Sequence, residues 1–248
     1  MLTCARICLL ALLLGASLRA TAGQPLMFIT EAYPPDNILR GIAVDLLVIA
    51  SLNTEQPVQR GQIRLMPWAR AYRTVLNTPN SVLFATTRTA EREKLFKWAR
   101  PIAATRVVLL ARKADQIRIQ SAADLQRYRI GVIHEDIGEQ SVLALGVRKE
   151  QLHVSANADA LIRQLHAGRI DLWAYEENVA HWFLRNANFN QEDFESVYQL
   201  QEGELWYAFN PKVSDEQIQQ LQNAIDALRK TPGKFGKTRY EDILIDYL

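Results

Sequence analysis

Cysteine is almost absent from this chain of 248 residues, and both of its cysteines, Cys4 and Cys8, lie near the start. They fall in a segment with an apolar run from Ile7 to Leu14 and a small-residue ending at Ala22, the layout of a cleavable secretory signal. The run is shorter than the roughly 20 residues that span a bilayer, which disfavours the alternative of a retained anchor. We therefore expect residues 1–22 to be removed as a signal peptide, leaving a mature protein with neither disulfide nor thiol chemistry.

Long hydrophobic runs and an excess of charge of one sign are lacking in the rest of the chain. The sequence has 29 Lys and Arg against 27 Asp and Glu, and two of the basic residues lie in the segment to be removed, so the mature chain is formally neutral. Blocks of like charge, low-complexity tracts and internal repeats do not occur either. A chain of this kind lacks the basic surface that nucleic-acid binding requires. These absences predict a soluble, exported globular protein that binds no nucleic acid.

Motifs of catalysis and metal binding are also lacking. The sequence contains no GxSxG elbow, no P-loop and no dinucleotide-binding fingerprint. Metal-ligand spacing is not found among the four histidines, His134, His153, His166 and His181. Glu177 and His181 are four residues apart, but this spacing is more typical of a surface helix pair than of a metal site. We expect no catalytic residue, no cofactor and no metal.

Short apolar runs alternate with segments of helical periodicity along the remaining chain. The runs are residues 25–30, 62–66, 81–87, 106–113, 129–133, 153–155, 170–177, 194–200 and 205–210. The helical segments include residues 41–52, 67–76, 157–168 and 214–230, with Gly168 and Ser214 in capping positions. The alternation predicts α/β layers, and the repeated rhythm in the second half predicts two similar lobes. Small molecules usually bind in a cleft between lobes, at the carboxyl ends of the strands.

Short motifs along the chain resemble one known family. In order they are YPP (Tyr33–Pro35), G-x-x-x-D-L from Gly41, PW at a helix start, T-x-E-R (Thr89–Arg92), ADL, I-G-V, and AGRID followed five residues later by an acid. Each motif is weak by itself. Their order and spacing are similar to those of the periplasmic solute-binding proteins of the polar-amino-acid type, family 3, over nearly the whole mature chain.

The resemblance implies an α/β fold of type II, in which two lobes, each a mostly parallel sheet flanked by helices, are hinged by two crossing segments. The first lobe would comprise residues 24–104 and 205–248, and the second residues 105–204. Such a protein closes on a small polar solute in the periplasm, an amino acid or a related zwitterion or carboxylate. It then delivers the solute to the membrane permease of an ABC transporter. We expect it to act as a monomer.

The resemblance also implies how the carboxylate of the solute is held. Arg92 matches the arginine of the family's Thr-x-x-Arg turn, and its planar fork suits a carboxylate because it donates two charge-assisted hydrogen bonds. Thr87 matches a position whose hydroxyl or backbone assists. Arg88 stands where the family usually has an apolar residue, so it is either a second cationic contact or a solvent-facing side chain.

Three further residues match the family's ligand contacts. Glu176 matches the carboxylate that receives the α-ammonium, and its alternative role is to favour the dipole of the following helix. Tyr33 matches an aromatic lid and Trp68 an aromatic on the opposite wall, where flat rings would cover the solute. Their alternatives are a turn tyrosine and a core tryptophan. Simple packing is expected for Trp173, Trp182 and Trp206.

The chain departs from the family after residues 129–133. A Gly-Thr/Ser-rich turn that donates to the solute's carboxylate is usual there, whereas this chain has His134 to Gly138 with two acids, Glu135 and Asp136. Two acids would repel a carboxylate. Either they point away, or the solute is more cationic than a plain amino acid, or it is not an amino acid.

Two other functions use the same fold. One is a ligand sensor that reports to a membrane receptor instead of feeding a permease. The other is catalysis, because a few relatives are enzymes such as dehydratases, and Glu176 or Glu135 would then act as the acid or base.

Overall fold

The computed structural model describes residues 25–31 and 41–245. Their strands are β1 (Met27–Glu31), β2 (Arg64–Met66), β3 (Ser81–Thr87), β4 (Lys97–Arg112), β5 (Ile130–Ile133), β6 (Leu152–Ser155), β7 (Leu172–Glu176) and β8 (Phe194–Phe209). Their α-helices are α1 (Ile42–Ser51), α2 (Trp68–Asn77), α3 (Ile137–Ala144), α4 (Ala158–His166), α5 (Glu177–Asn186), α6 (Asp215–Lys230) and α7 (Arg239–Ile245). The predicted signal peptide and Tyr33 lie outside the described residues. No helix within the described ranges is long and apolar enough to cross a membrane.

The strands follow the hydrogen-bonded order β2-β1-β3-β8-β4-β7-β5-β6. At one end β1 pairs in parallel with β2 and β3, and at the other β5 pairs in parallel with β6 and β7. Between these parallel sets run β4 and β8, which are antiparallel to each other and 16 residues long. Two parallel sets joined by two long crossing strands form a two-lobe α/β fold, as predicted.

Each crossing strand is longer than the apolar runs in the sequence. β8 joins the separate runs 194–200 and 205–210 through a polar stretch, and β4 begins nine residues before the run at 106–113. Pro101 lies inside β4, where register shifts on both sides of it accommodate a residue that has no N–H to donate. The crossing strands are only partly buried along their middle, so hydrophobicity does not mark them there.

Local signals fix the ends of several helices. The Asn157 side chain accepts hydrogen bonds from the Asp159 and Ala160 amides at the start of α4. Ser214 Oγ accepts one from the Gln217 amide at the start of α6, which confirms the predicted cap. Gly168 follows α4 with φ of +71°, a conformation that favours glycine after a helix.

The buried apolar residues form a core in each lobe and a third cluster that includes both lobes. The first-lobe core contains Leu46 and Phe84, and the second-lobe core contains Val132 and Leu172. The third cluster combines residues of α2 and β3 in the first lobe with residues of β5, β7 and α5 in the second. The two lobes are therefore in direct apolar contact in this structure.

Candidate functional site

The candidate site lies where the carboxyl ends of the two parallel strand sets meet. In the first lobe β1 ends at Glu31 and β3 at Thr87, and in the second lobe β5 ends at Ile133 and β7 at Glu176. The carboxyl ends of parallel strands share one edge of a sheet, and loops there carry binding residues in open α/β folds. Contacts between the lobes occur at these two edges.

Arg92 follows β3 in a turn in which its amide donates to the Thr89 carbonyl (3.1 Å). Its side chain is only 1% exposed, and its Nη1 donates to the Thr87 carbonyl (3.2 Å). The remaining guanidinium atoms, Nε and Nη2, are buried without a hydrogen-bond partner among the described residues. A buried donor without a partner is costly, so these two atoms are suited to an acceptor that is supplied from outside.

Aromatic rings pack beside the Arg92 guanidinium. Its Cζ lies 5.4 Å from the ring centroids of Trp68 and of Tyr72, both on α2. Burial lowers the pKa of Arg92, while the charge of Asp136 and the nearby Tyr72 hydroxyl, whose approach does not have hydrogen-bond geometry, oppose this shift. Arginine nevertheless stays protonated at neutral pH, so the rings and Asp136 surround a permanent buried cation.

Trp68 joins the lobes as well as packing against Arg92. It is 4% exposed, and its Nε1 donates to the Glu135 carbonyl across the lobe junction (2.9 Å). Arg73, on the same helix, binds the Glu135 carboxylate with Nε–Oε2 of 2.9 Å and Nη2–Oε1 of 2.6 Å. The predicted wall residue thus lies at the lobe contact, next to the predicted carboxylate-binding arginine.

The two acids of the turn after β5 point in different directions. Glu135 has φ of +60°, and its carboxylate is bound by the exposed Arg73. Asp136 is 7% exposed and accepts a long hydrogen bond from the Gly138 amide at the start of α3 (3.5 Å). Burial raises the pKa of Asp136, and the positive charge of Arg92 opposes the shift. One acid therefore belongs to the rim, and the other to the buried interior with Arg92.

Glu176 lies at the end of β7 and also caps α5. Its Oε2 accepts from the Val179 amide (2.8 Å), and its Oε1 is 3.4 Å from Asn178 Nδ2. Burial raises the pKa of Glu176, whereas the hydrogen bond from the Val179 amide lowers it. No ion pair involves Glu176 among the described side chains. The residue is thus a helix cap whose negative charge is not neutralised within the described part of the chain.

Glu31 is a site residue that the sequence motifs did not identify. It is 8% exposed, and its Oε2 accepts from the Tyr175 hydroxyl of the other lobe (3.2 Å). The Tyr175 ring stacks on Trp173 at a centroid distance of 4.6 Å. Its position directly after the predicted run 25–30 could have indicated Glu31, since the end of that strand is the edge where a cleft residue belongs.

Arg88 has partners of its own, apart from the contacts that Arg92 and Trp68 make at the lobe junction. Arg88 binds both carboxylate oxygens of Glu93, at 2.7 Å each. Its Cζ also lies 4.5 Å from the Trp206 ring centroid and 5.5 Å from that of Trp98. All of these partners belong to the first lobe and its crossing strands, so a contact of Arg88 with a solute would compete with them.

Of the pair weighed for metal binding, Glu177 has other partners, whereas the buried Nδ1 of His181 has none among the described residues. Glu177 binds Arg106 and accepts a hydrogen bond from Ser196 Oγ (2.6 Å). No group of three or more His, Cys, Asp or Glu side chains is placed to hold a metal ion within residues 25–31 and 41–245.

Comparison with known proteins identifies the fold. No protein-family model matches this chain, and no curated protein matches its sequence. A histidine kinase sensor domain with similarity to periplasmic binding proteins is 17% identical with a TM-score of 0.75, over 90% of this chain and 96% of that one. An amino acid ABC transporter substrate-binding protein from Streptococcus pneumoniae, bound to L-arginine, is 18% identical with a TM-score of 0.71, over 89% and 93%. Holo ArgBP from T. maritima is 18% identical with a TM-score of 0.69, over 89% and 94%. The chain therefore has the two-lobe fold of the periplasmic binding proteins.

Proposed function

We propose that this chain is a solute-binding protein of the polar-amino-acid type, which holds a small polar solute between its lobes and delivers it to the membrane permease of an ABC transporter. One observation carries the proposal. Arg92 is buried at the lobe junction with two guanidinium nitrogens that have no partner among the described residues. Asp136 balances the charge of Arg92 but does not fill its two open donor positions, whereas a solute would supply the missing acceptor.

The lobes that would close on the solute are residues 24–104 with 205–248, and residues 105–204. This division falls where the crossing strands run side by side, since Ala104 on β4 pairs with Glu204 on β8. A short hinge in paired strands suits rigid-body closure of two lobes. The proposed protein is an exported monomer, and residues 1–22 serve as its signal peptide.

The proposed site assigns a role to each end of the solute. Arg92 receives the acceptor group of the solute, with Thr87 positioning the guanidinium through its carbonyl. Glu176 receives an ammonium group, because its carboxylate has no cationic partner among the described side chains. Trp68 is proposed for one wall of the site, and Tyr33, which lies outside the described residues, for the other. Arg88 stays a candidate at the margin of the site, where Glu93 has to release it first.

Solute binding can be tested by a thermal-shift screen of amino acids, opines, polyamines and small carboxylates, followed by titration calorimetry. A solute at 100 times its Kd that binds only the folded form adds about 2.7 kcal/mol to the free energy of unfolding. We expect at least one solute to raise the Tm clearly, and native mass spectrometry of the fresh protein to reveal any copurified solute. A screen without any rise, together with a protein free of bound solute, would contradict the proposal.

Transport itself requires a test in cells. The fold also occurs in a histidine kinase sensor domain, so binding alone does not distinguish delivery from sensing. Deletion of the gene should abolish uptake of the labelled solute, and the intact gene should restore it. Normal uptake in the deletion strain, with loss of a transcriptional response to the solute, would indicate a sensor instead.

A further inference from the structure

Buried charge is concentrated at one place in this protein. Among the described residues, the charged side chains that are buried are Glu31, Arg92 and Asp136. All three lie at the lobe junction, where Tyr175 bonds to Glu31 and where Trp68 bonds to the residue before Asp136. Charges are buried only where something compensates them, so their grouping marks the surroundings of a bound molecule.

The negative charge of Asp136 disfavours the binding of a free carboxylate at this site. Its carboxylate is buried on the second-lobe side, next in sequence to Glu135, whose carbonyl binds Trp68 Nε1. The Trp68 ring in turn lies 5.4 Å from Arg92 Cζ on the first-lobe side, so the Asp136 charge acts on Arg92. Arg92 Nε and Nη2 have no hydrogen-bond partner among the described residues, so Asp136 does not bond to them directly. A solute group bound to these nitrogens would therefore share a buried, weakly screened space with the Asp136 carboxylate. Two like charges there repel each other strongly.

We propose that Asp136 is a specificity-determining residue, and that the group held between Asp136 and Arg92 is uncharged and both accepts and donates hydrogen bonds, as a primary carboxamide or a hydroxyl does. This inference rests on the proposed function. It names the solute class as an amine with such a group, an amino amide or an amino alcohol, in preference to a free amino acid.

A carboxamide satisfies the buried groups at this end of the site. Its carbonyl oxygen has two lone pairs for the free Arg92 nitrogens, and its NH₂ group donates to Asp136. A carboxylate of the same shape satisfies Arg92 but leaves Asp136 facing a second acceptor. Sites built around buried hydrogen-bonding groups reject an analogue that leaves one of these groups without a partner.

The amine of the solute is required by the carboxylate at the other end of the site. Asp136 and Arg92 compensate each other, which leaves two acids at the same junction, Glu31, which accepts from the Tyr175 hydroxyl, and Glu176. Glu176 accepts from the Val179 amide, but this bond brings no positive charge. A protonated amine supplies that charge, as charge-assisted bonds to a carboxylate need.

Isosteric solutes that differ only in the charge of this one group provide the test. We would measure the Kd of alanine against alaninamide, lysine against lysinamide and arginine against argininamide at about pH 7, where most amino groups are protonated. In the parent protein the amide of at least one pair should bind at least about tenfold more tightly than its acid. Asp136→Asn should reverse this preference, because the introduced side-chain amide donates to a carboxylate.

The variants separate specificity from folding. Asn and Ser both cap helices well, so Asp136→Asn and Asp136→Ser should keep α3 intact, which circular dichroism and Tm report. Asp193→Asn removes an exposed acid of the same lobe and should leave the preference for the amide unchanged. If either Asp136 variant fails to fold, the ratio of amide to acid affinity in the parent protein still decides the matter.

The outcomes distinguish this inference from the proposed function. Tighter binding of the free acids by the parent protein, or an unchanged preference in a folded Asp136→Asn protein, overturns the inference and leaves the proposed function standing. The same holds if only amine-free solutes bind. If no solute of any kind binds, the proposed function fails and this inference fails with it.

Discussion

The Arg73 guanidinium on α2 binds both oxygens of the Glu135 carboxylate across the lobe junction, with a closest distance of 2.6 Å. The pair lies at the rim of the candidate site, directly beside the buried Asp136. Glu135 holds its backbone at φ of +60°, which is uncommon for a residue other than glycine, and so turns its carboxylate towards Arg73. The pair therefore links the two lobes beside the candidate site.

Arg73→Ala should weaken solute binding by less than about fivefold, because exposed ion pairs contribute little. The loss should occur mainly as faster dissociation, since the pair forms only when the lobes meet, and it should shrink at high salt. Stopped-flow measurement of the dissociation rate at low and high salt checks this. Arg163→Ala is the matched control, because the equally exposed Arg163–Asp159 pair lies within α4. Equal dissociation rates for both variants would contradict the role of Arg73 in closure.

Arg92→Lys should reduce affinity for the solute strongly, because a point charge cannot replace a planar fork with two free nitrogens. Arg92→Met, which keeps an apolar stem beside Trp68 and Tyr72, should lose about 2 to 5 kcal/mol of binding free energy. Titration calorimetry with the solute found in the screen measures both losses. A parent-like Kd in the Arg92→Met protein would return Arg92 to a purely structural role.

Arg88→Met gives the comparison for the other arginine of the same segment. Its guanidinium is occupied by Glu93 and by the Trp206 ring, so we expect the Kd to change by no more than about twofold, as for an exposed ion pair. A loss as large as that of the Arg92 variants would instead place Arg88 among the ligand contacts, which is the alternative that its position in the sequence left open.

Trp68 should report closure through its fluorescence. Its Nε1 bond to the Glu135 carbonyl exists only while the lobes are in contact, and such a bond contributes about 0.5–1.5 kcal/mol net. Trp68→Phe should remove most of the emission change on solute addition and lower the affinity modestly. Trp206→Phe should retain the emission change, because Trp206 packs against Arg88 in the first lobe. A full signal in the Trp68→Phe protein would show that another tryptophan reports closure.

Local patterns predicted the elements that pack within one lobe. The run at 81–87 is β3 residue for residue, and the Ser214 cap starts α6 as expected. These elements were predictable because apolar periodicity and capping depend on near neighbours. The crossing strands were found only in pieces, since half-exposed strands with Pro101 inside lack that periodicity.

The site was only partly predictable, because its contacts join residues far apart in the sequence. Arg92 and Glu176 were predicted as ligand contacts because they match motifs of the family, and both roles stay predictions. Arg73 reads as one more polar residue on an amphipathic helix, and its partner Glu135 is 62 positions away. The separation of the roles of Glu135 and Asp136 depends on backbone geometry in the turn, which the sequence does not specify.

Glu176 should make the stability of the ligand-free protein depend on pH. Burial raises its pKa above the ordinary value of 4.5, so the folded protein binds this proton more tightly than the unfolded chain does. The free energy of unfolding therefore falls as the pH rises from 4.5 through the raised pKa. It increases again when the pH is lowered over the same range. Glu176→Gln cannot titrate, and its Tm should vary less than that of the parent between about pH 8 and pH 5.

Binding of an amine solute should shift the pKa of the Glu176 carboxylate in the opposite direction, downward. A protonated amine beside Glu176 favours the ionised form, so the affinity for an amine solute should decrease as the pH falls below the raised pKa. Asp136 adds a contribution of the same sign to the stability curve, with Arg92 and Glu139 as its charged neighbours, so the difference between parent and Glu176→Gln isolates Glu176. The exposed Glu150→Gln is the control and should follow the parent. Parallel Tm curves for the parent and Glu176→Gln would mean that Glu176 is solvated in the free protein and does not bear the buried charge proposed for the site.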